Sequence, residues 1–170
     1  FKAMIKRLCF FDFDYTLART AECIWIRSPR GTRKIHNNWY RLIDPIQYNV
    51  LKLGDDEFLD EFSFVEFDEV NINKAMPIPT TLMMLRTFLE KYENKVIVIT
   101  ARKQIVEEHV RQFLKLNNIP KIDKIKFIGC DSSAAITKWD HVESLANEFS
   151  PEEIFMFDDS EKVINLFEKN

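Results

Sequence analysis

The sequence predicts an α/β fold in which a parallel sheet is covered by helices on both faces and carries a small insertion after its first strand. Four short apolar runs are continuous rather than alternating, which is typical of strands buried on both faces. Helical periodicity fills the gaps between the last three runs, so strand and helix alternate from residue 80 onward. The chain has 170 residues, which suits one domain with a sizeable core. We expect residues 4–170 to form that domain, with Met4 as the native start.

Each element is predicted by a local signal. The predicted strands are the apolar runs at residues 5–11, 96–99, 125–128 and 154–157. The predicted helices are residues 80–92, 103–116, 136–149 and 159–168, in which apolar side chains recur three and four positions apart. Pro77 and Pro79 precede or open the first helix, and Pro120 follows the end of the second.

Residues 18–78 interrupt this alternation, and we predict that they form an insertion between the first strand and the first helix. Within the insertion, strands are predicted at residues 23–26 and 62–67. A turn is predicted at residues 28–31, where Pro29 and Gly31 stand close together.

Composition excludes several classes of function. The three glycines lie far apart, so neither a dinucleotide-binding GxGxxG turn nor a Walker-type phosphate loop can be written. A net charge of -3 gives no global attraction to nucleic acid or to an anionic membrane. No apolar run has the length of a membrane span, and no signal peptide is visible. Because the three cysteines also lack metal-ligand spacing, we expect a cytoplasmic protein with inert thiols, and no protein partner is evident.

Polar side chains follow three of the predicted strands at the point where each strand ends. Asp12 and Asp14 follow the first strand, Thr100 follows the second, and Asp158 and Asp159 follow the fourth. Because ligands bind beyond the carboxyl ends of parallel strands, these side chains should meet. Converging carboxylates repel one another unless a hard cation lies among them, and oxygen ligands favour Mg²⁺. The alternative is that they are surface acids at strand ends, where an acid stabilises the start of a following helix.

These segments resemble the motifs of the haloacid dehalogenase superfamily. Residues 8–17, with the sequence LCFFDFDYTL, resemble its first motif, an apolar strand followed by DxDxT. Residues 96–100 are similar to its second motif, an apolar strand that ends in threonine, and residues 154–159 are similar to its fourth. Lys138 is the best match to the third motif, a lone lysine before the last strand. The resemblance implies a three-layer, Rossmann-like sheet with a cap inserted at about residues 18–78.

The resemblance also implies Mg²⁺-dependent hydrolysis of a phosphomonoester. Asp12 would be the nucleophile that forms an aspartyl-phosphate, and Asp14 would be the general acid and then the general base. Thr100 would donate its hydroxyl to a phosphoryl oxygen, and Lys138 would supply positive charge to the nucleophile and the phosphate. The implied Mg²⁺ ligands are the side chain of Asp12, the backbone carbonyl of Asp14, and Asp158, with Asp159 close by.

A nucleotide or a nucleic-acid end is the substrate that the remaining features favour. Arg102 is placed like the arginine that follows the second motif in nucleic-acid end phosphatases. The segment after the fourth strand is similar to that of polynucleotide 3′-phosphatases and RNA-repair domains, although Ser160 stands where those proteins have arginine. The first half of the insertion is basic and aromatic, and Arg30, Arg33 and Trp39 are candidates to hold phosphate and to stack a base.

Three alternatives stay open at this stage. In the first alternative, the basic half of the insertion pairs with its acidic half and neither contacts a ligand. The acids of the second half are Asp55, Asp56, Glu57, Asp60, Glu61, Glu66, Asp68 and Glu69. The same core would also serve a phosphatase of small metabolites. A non-catalytic binding module that keeps the fold is the third alternative, and the complete set of motif residues argues against it.

Overall fold

The structure is a computed structural model that describes residues 4–49 and 62–170. Residues 1–3 lie outside this part of the chain, and so do five acids of the insertion, namely Asp55, Asp56, Glu57, Asp60 and Glu61. The elements follow the chain as β1 (Arg7–Phe11), β2 (Ala18–Arg19), β3 (Ile24–Arg27), β4 (Arg33–Ile35), β5 (Asn38–Ile43), α1 (Pro45–Asn49), β6 (Phe62–Ser63), β7 (Met76–Pro77), α2 (Pro79–Leu89), β8 (Asn94–Thr100), α3 (Glu107–Leu116), β9 (Lys126–Gly129), α4 (Ala135–Phe149), β10 (Glu153–Phe157) and α5 (Glu161–Lys169).

The four predicted apolar runs form one parallel sheet in the order β10–β1–β8–β9, which confirms an α/β fold with a central parallel sheet. The register pairs Phe11 at the end of β1 with Phe157 of β10 on one side and with Val98 of β8 on the other. The carboxyl ends of these three strands therefore lie at the same edge of the sheet.

The core has one apolar cluster on each face of the sheet. Because side chains alternate along a strand, Cys9 and Phe11 pack with α2 and α3 on one face, whereas Leu8 and Phe10 pack with α4 and α5 on the other. All four side chains are fully buried, and burial of each phenyl ring contributes about 2–3 kcal/mol. The sheet is thus the middle of three layers.

Helix α2 is shorter than the sequence predicts. Its buried stripe consists of Leu82, Leu85 and Leu89, whereas Tyr92, which was expected to extend the stripe, is 79% exposed. The helix ends earlier because the Asn94 side chain donates a hydrogen bond to the Phe88 carbonyl at 3.1 Å and the chain turns into β8.

Among the described helices, none has the length and apolar character that crossing a membrane requires.

The predicted insertion contains a small antiparallel sheet in the order β4–β5–β3–β6. Its own apolar cluster is formed by Ile24, Ile26 and Ile43. The two ends of the insertion lie side by side, because Ala18 of β2 pairs with Pro77 of β7. The small sheet therefore enters and leaves the chain at one place, directly after the loop that follows β1.

The strand predicted at residues 62–67 is wrong in most of its length. Of these residues, only Phe62 and Ser63 form a strand, which pairs with β3, and a 3₁₀ helix follows it at Val65–Asp68. The physical reason is Glu66, whose carboxylate accepts hydrogen bonds from the backbone N–H of Cys23 at 3.1 Å and from the indole N–H of Trp25. This side chain replaces the strand pairing that the alternating pattern predicts.

The hairpin of β4 and β5 was missed in the sequence. Its two turn residues, His36 and Asn37, have positive φ angles of 48° and 69°, and Ile35 pairs with Asn38 across the turn. A two-residue turn with both φ angles positive is typical of hairpins, and asparagine tolerates this conformation better than most residues. Asn37 is therefore the residue in the sequence that indicates a turn between β4 and β5.

Candidate active site

A cavity of about 1030 Å³ lies beyond the carboxyl ends of the central strands. The core lines it with the predicted residues Asp12, Asp14, Lys138, Asp158 and Asp159, and Arg102 lies in the same wall. The insertion lines the opposite side. The parallel register explains this convergence, because β1 and β10 end side by side.

Asp12 is held at the start of the loop after β1. Its backbone N–H donates to the Phe157 carbonyl at 2.8 Å, which extends the β1–β10 pairing by one residue. The Thr16 hydroxyl donates to Asp12 Oδ2 at 3.4 Å. The loop closes tightly, because the Phe13 carbonyl accepts hydrogen bonds from the N–H groups of Thr16, Leu17 and Ala18. The DxDxT segment is thus a compact turn that aims a buried carboxylate into the cavity.

Lys138 connects the two strand ends. Its ammonium nitrogen lies 3.1 Å from Asp12 Oδ1 and 2.6 Å from Asp158 Oδ2. Burial alone would lower the pKa of Lys138, but the two carboxylates outweigh that effect and raise it above its ordinary value. The lysine is therefore charged at neutral pH.

Three carboxylates form a cluster that has an excess of negative charge. Asp12, Asp158 and Asp159 each place one oxygen so that the three oxygens lie within 4.8 Å of one another. Burial raises the pKa of Asp12 well above its ordinary value, despite Lys138. The pKa of Asp159 is also raised, because its carboxyl is partly desolvated and lies beside Asp158. All three potential ligands are oxygens, and only one ammonium group lies among three carboxylates. Both features fit a hard divalent cation such as Mg²⁺.

The carboxylate of Asp14 points away from this cluster and toward Arg102. The guanidinium donates from Nε to Asp14 Oδ2 at 3.0 Å and from Nη2 to Asp14 Oδ1 at 2.7 Å. The Thr20 hydroxyl donates to Asp14 Oδ1 at 2.5 Å. The implied Mg²⁺ contact of Asp14 uses its backbone carbonyl, so this orientation of the side chain does not conflict with it.

Arg102 itself is almost fully enclosed. Its side chain is 1% exposed, Nη1 donates to the Glu69 carbonyl at 2.7 Å, and Nη2 lies 3.5 Å from Glu22 Oε2. Its guanidinium carbon lies 4.7 Å from the centre of the Phe67 ring. The donors of Arg102 thus serve Asp14 and the base of the insertion, and its contact with substrate stays a prediction.

Thr100 lies at the carboxyl end of β8 and is fully buried, and it is not among the described residues that line the cavity. Its oxygen accepts a hydrogen bond from the backbone N–H of Arg102 at 3.2 Å. A hydroxyl that accepts through its oxygen still has its own hydrogen to donate, which is what the expected contact with a phosphoryl oxygen requires.

The predicted substrate residues of the insertion lie elsewhere. Arg30, Arg33 and Trp39 are not among the described residues that line the cavity. Arg33 lies 4.0 Å from Glu66 and stacks over the Trp25 ring at 5.3 Å. Pairing of this kind is what we expect if the two halves of the insertion bind each other and contact no ligand. The contacts of these residues with nucleic acid stay a prediction.

The sequence predicts that the three cysteines are inert thiols. All three are free. Burial raises the pKa of Cys9 to about 12 and that of Cys130 to about 11. Both thiols are therefore protonated at neutral pH, and the thiolate that would act as a nucleophile is absent there.

Two features of the cavity were missed in the sequence. Thr20 contacts Asp14, but nothing in its sequence context marks it. The insertion also lines the cavity with four aromatic rings, those of Tyr48, Phe62, Phe64 and Phe67. The signal for three of the rings is the local density of phenylalanine at residues 62–67, where the sequence predicts a strand.

No model of a known protein family matches the sequence, and no curated protein matches it. Two solved structures are similar to it, both of the Legionella pneumophila effector Ceg4. The form with an N-terminal TEV protease cleavage sequence is 16% identical with a TM-score of 0.49, and the match covers 99% of this chain and 82% of that one. The form with an N-terminal yeast Hog1p sequence is 13% identical with a TM-score of 0.43, covering 99% and 96%. At these levels the likeness carries no conclusion about function.

Proposed function

We propose that this protein is a Mg²⁺-dependent phosphomonoester hydrolase that works through an aspartyl-phosphate on Asp12. The observation that carries this proposal is the cluster of Asp12, Asp158 and Asp159 with Lys138 between two of its members. Three carboxylate oxygens within 4.8 Å of one another beside a buried lysine support this proposal, because charges removed from water are costly unless a counter-charge lies among them.

Asp12 is the nucleophile in this reaction. One of its carboxylate oxygens attacks phosphorus, the bond from phosphorus to the alcohol oxygen breaks, and the electron pair leaves with that oxygen. Lys138 contacts Asp12 Oδ1 and lowers the cost of bringing an anionic phosphate to an anionic nucleophile. Thr100 stabilises a phosphoryl oxygen by donating its hydroxyl hydrogen.

Asp14 moves the proton. It donates a proton to the leaving oxygen in the first step and accepts one from the water that hydrolyses the acyl-phosphate in the second. Arg102 and Thr20 donate three hydrogen bonds to its carboxylate, which orients it for the second step, in which it accepts a proton. A fixed orientation matters because a misplacement of about 1 Å can cost about 100-fold in rate.

The residues that would hold Mg²⁺ are the carboxylates of Asp12, Asp158 and Asp159, together with the backbone carbonyl of Asp14 that the resemblance implies. When bound, the cation supplies positive charge that offsets the repulsion between these carboxylates and the phosphate. Burial raises the pKa values of Asp12 and Asp159, and a bound cation would favour their ionised forms.

Hydrolysis of p-nitrophenyl phosphate tests this function. We expect turnover with Mg²⁺, none in excess EDTA, and a loss on the order of 1,000-fold or more in Asp12→Asn. Asp140→Asn is the matched control, because Asp140 is exposed and lies on the same helix as Lys138. Full activity in EDTA would exclude the metal, and normal turnover by Asp12→Asn would exclude the nucleophile.

A further inference from the structure

An aromatic wall, formed by Tyr48, Phe62, Phe64 and Phe67, runs along the cavity from the candidate acid outward. It begins where the Phe67 ring meets Arg102, the residue that holds Asp14. From there the ring centres follow at 6.4 Å from Phe67 to Phe64 and at 5.6 Å from Phe64 to Tyr48. Tyr48 in turn lies 5.9 Å from Phe62. The four rings form one continuous surface in the cavity.

Tyr48, Phe62 and Phe67 are half-buried and pack against the apolar cluster of the insertion, and together with Phe64 they also line the cavity. Phe64 is 42% exposed, and Ile24 and Pro45 extend the apolar lining beside it. A contiguous apolar surface that lines a concave site next to reactive side chains is what a bound apolar group would cover.

The charges around the wall do not suit a second phosphate. Apart from Arg102 and Lys138, the basic side chains among the described lining residues are Lys103 and Lys162. Lys103 already pairs with Asp68 at 3.0 Å. A nucleic-acid strand would instead need a row of cations along its backbone.

We infer, on the basis of the proposed phosphatase function, that the site takes a phosphate carried directly on an uncharged aromatic ring, the monoester of a phenol. The group that follows the leaving oxygen must lie beside Asp14, and Phe67 is tied to Asp14 through Arg102. A phenol places a ring there, and stacked or edge-on packing of rings is favourable. A nucleotide would place ribose hydroxyls there, against a phenyl ring that offers them no hydrogen bond.

The test compares phenyl phosphate with 2-naphthyl phosphate, because their phenols are of similar acidity and differ mainly in ring area. We expect kcat/KM to be several-fold higher for the naphthyl ester. Phe64→Ala, at a 42% exposed position, should lower kcat/KM for the naphthyl ester by about 3- to 10-fold and that for the phenyl ester less. Tyr92→Ala is the matched control, since Tyr92 is a 79% exposed ring outside the described cavity lining.

Two results would overturn the inference while leaving the phosphatase function intact. One is hydrolysis with no preference for the larger ring and no effect of Phe64→Ala. The other is a higher kcat/KM for adenosine 5′-monophosphate or for a phosphorylated oligonucleotide than for either aryl ester.

If no monoester is hydrolysed, the proposed function fails. A binding measurement then still decides whether the aromatic wall binds an aromatic ring. Calorimetric titration with 2-naphthylphosphonate and methylphosphonate, each with Mg²⁺, measures recognition of the ring without turnover. At least about tenfold tighter binding of the naphthyl compound, reduced in Phe64→Ala, supports the aromatic site. Equal binding of the two phosphonates excludes it.

Discussion

Arg102 and Asp14 form a bidentate ion pair that joins the carboxyl end of β8 to the loop after β1. Nε lies 3.0 Å from Oδ2 and Nη2 lies 2.7 Å from Oδ1. Both ends of the guanidinium fork are occupied by one carboxylate, so the plane of that carboxylate is fixed as well as its position. The sequence predicts Arg102 as a substrate contact, whereas this geometry favours a positioning role.

The substitution Arg102→Lys separates these two roles, because lysine keeps the charge but cannot form the fork. We expect kcat for an aryl phosphate to fall by about 10- to 100-fold with KM nearly unchanged, since a loosened Asp14 delivers its proton from the wrong place. The measurement is steady-state kinetics with saturating Mg²⁺. Arg86→Lys, at an exposed arginine on α2, is the control. A large rise in KM with kcat preserved would instead support the contact with substrate.

The proton transfer by Asp14 is tested by leaving groups of different acidity. Asp14→Asn should lower kcat/KM by about 100- to 10,000-fold for an alkyl or phenyl phosphate. The loss should be much smaller for p-nitrophenyl phosphate, because nitrophenolate leaves almost without a proton. Both rates are measured on one preparation, whose circular dichroism confirms that the fold is retained. Equal losses on both kinds of substrate would contradict the acid role.

The central sheet and most of the charged site could be predicted because they depend on local patterns. Continuous apolar runs are strands wherever helices cover both faces of a sheet, and parallel pairing then brings Asp12 and Asp158 together without further information. Lys138 could be selected because it stands in the first turns of a helix that begins near this edge.

The remaining parts depend on side-chain packing that no local pattern encodes. The Arg102–Asp14 pair joins residues 88 positions apart, and its form depends on which way two side chains turn. The aromatic wall depends on Glu66, which ends a strand by binding Trp25 and Cys23 and so leaves Phe64 and Phe67 in a 3₁₀ turn that faces the cavity.

Lys138 should contribute strongly to the stability of the metal-free protein. Lys138→Met removes the cation between Asp12 and Asp158 and leaves them only neutral donors, the Thr16 hydroxyl and the Ser160 backbone N–H. We expect the free energy of unfolding at neutral pH to fall by about 3–5 kcal/mol. Because the folded pKa of Lys138 is raised above its ordinary value of 10.5, this contribution is fully present below that pH. Urea denaturation in EDTA measures it, with the exposed Lys91→Met as control. A difference below about 1 kcal/mol would mean that the cluster does not need this cation.

The metal-free protein should become less stable as pH rises, because of Asp12. Its pKa is raised by burial above the ordinary value of 3.8, so the native state binds the proton more tightly than the unfolded state. The free energy of unfolding therefore falls from about pH 4 upward until the raised pKa is passed, with a slope of at most about 1.4 kcal/mol per pH unit for this group. Denaturation curves in EDTA between pH 4 and pH 8 measure the slope. Asp12→Asn should flatten this fall, and saturating Mg²⁺ should raise stability most at the high-pH end. A slope of the same size in Asp12→Asn would assign the effect to other groups.

The basic residues Arg30 and Arg33 give the sharpest contrast between the two interpretations of the insertion. If they guide a nucleic-acid end, the double variant Arg30→Glu, Arg33→Glu should raise KM for a phosphorylated oligonucleotide several-fold, and the penalty should shrink as salt rises. We expect instead that KM for the oligonucleotide and for an aryl phosphate both change by less than about twofold. Arg33 already contacts Glu66 and Trp25, and neither arginine lines the described cavity. The matched experiment varies NaCl at fixed Mg²⁺ and compares the double variant with Arg33→Gln, which removes charge without reversing it. A salt-dependent rise in KM confined to the oligonucleotide would identify this face of the small sheet as a nucleic-acid contact, and the substrate would then be sought among phosphorylated strands.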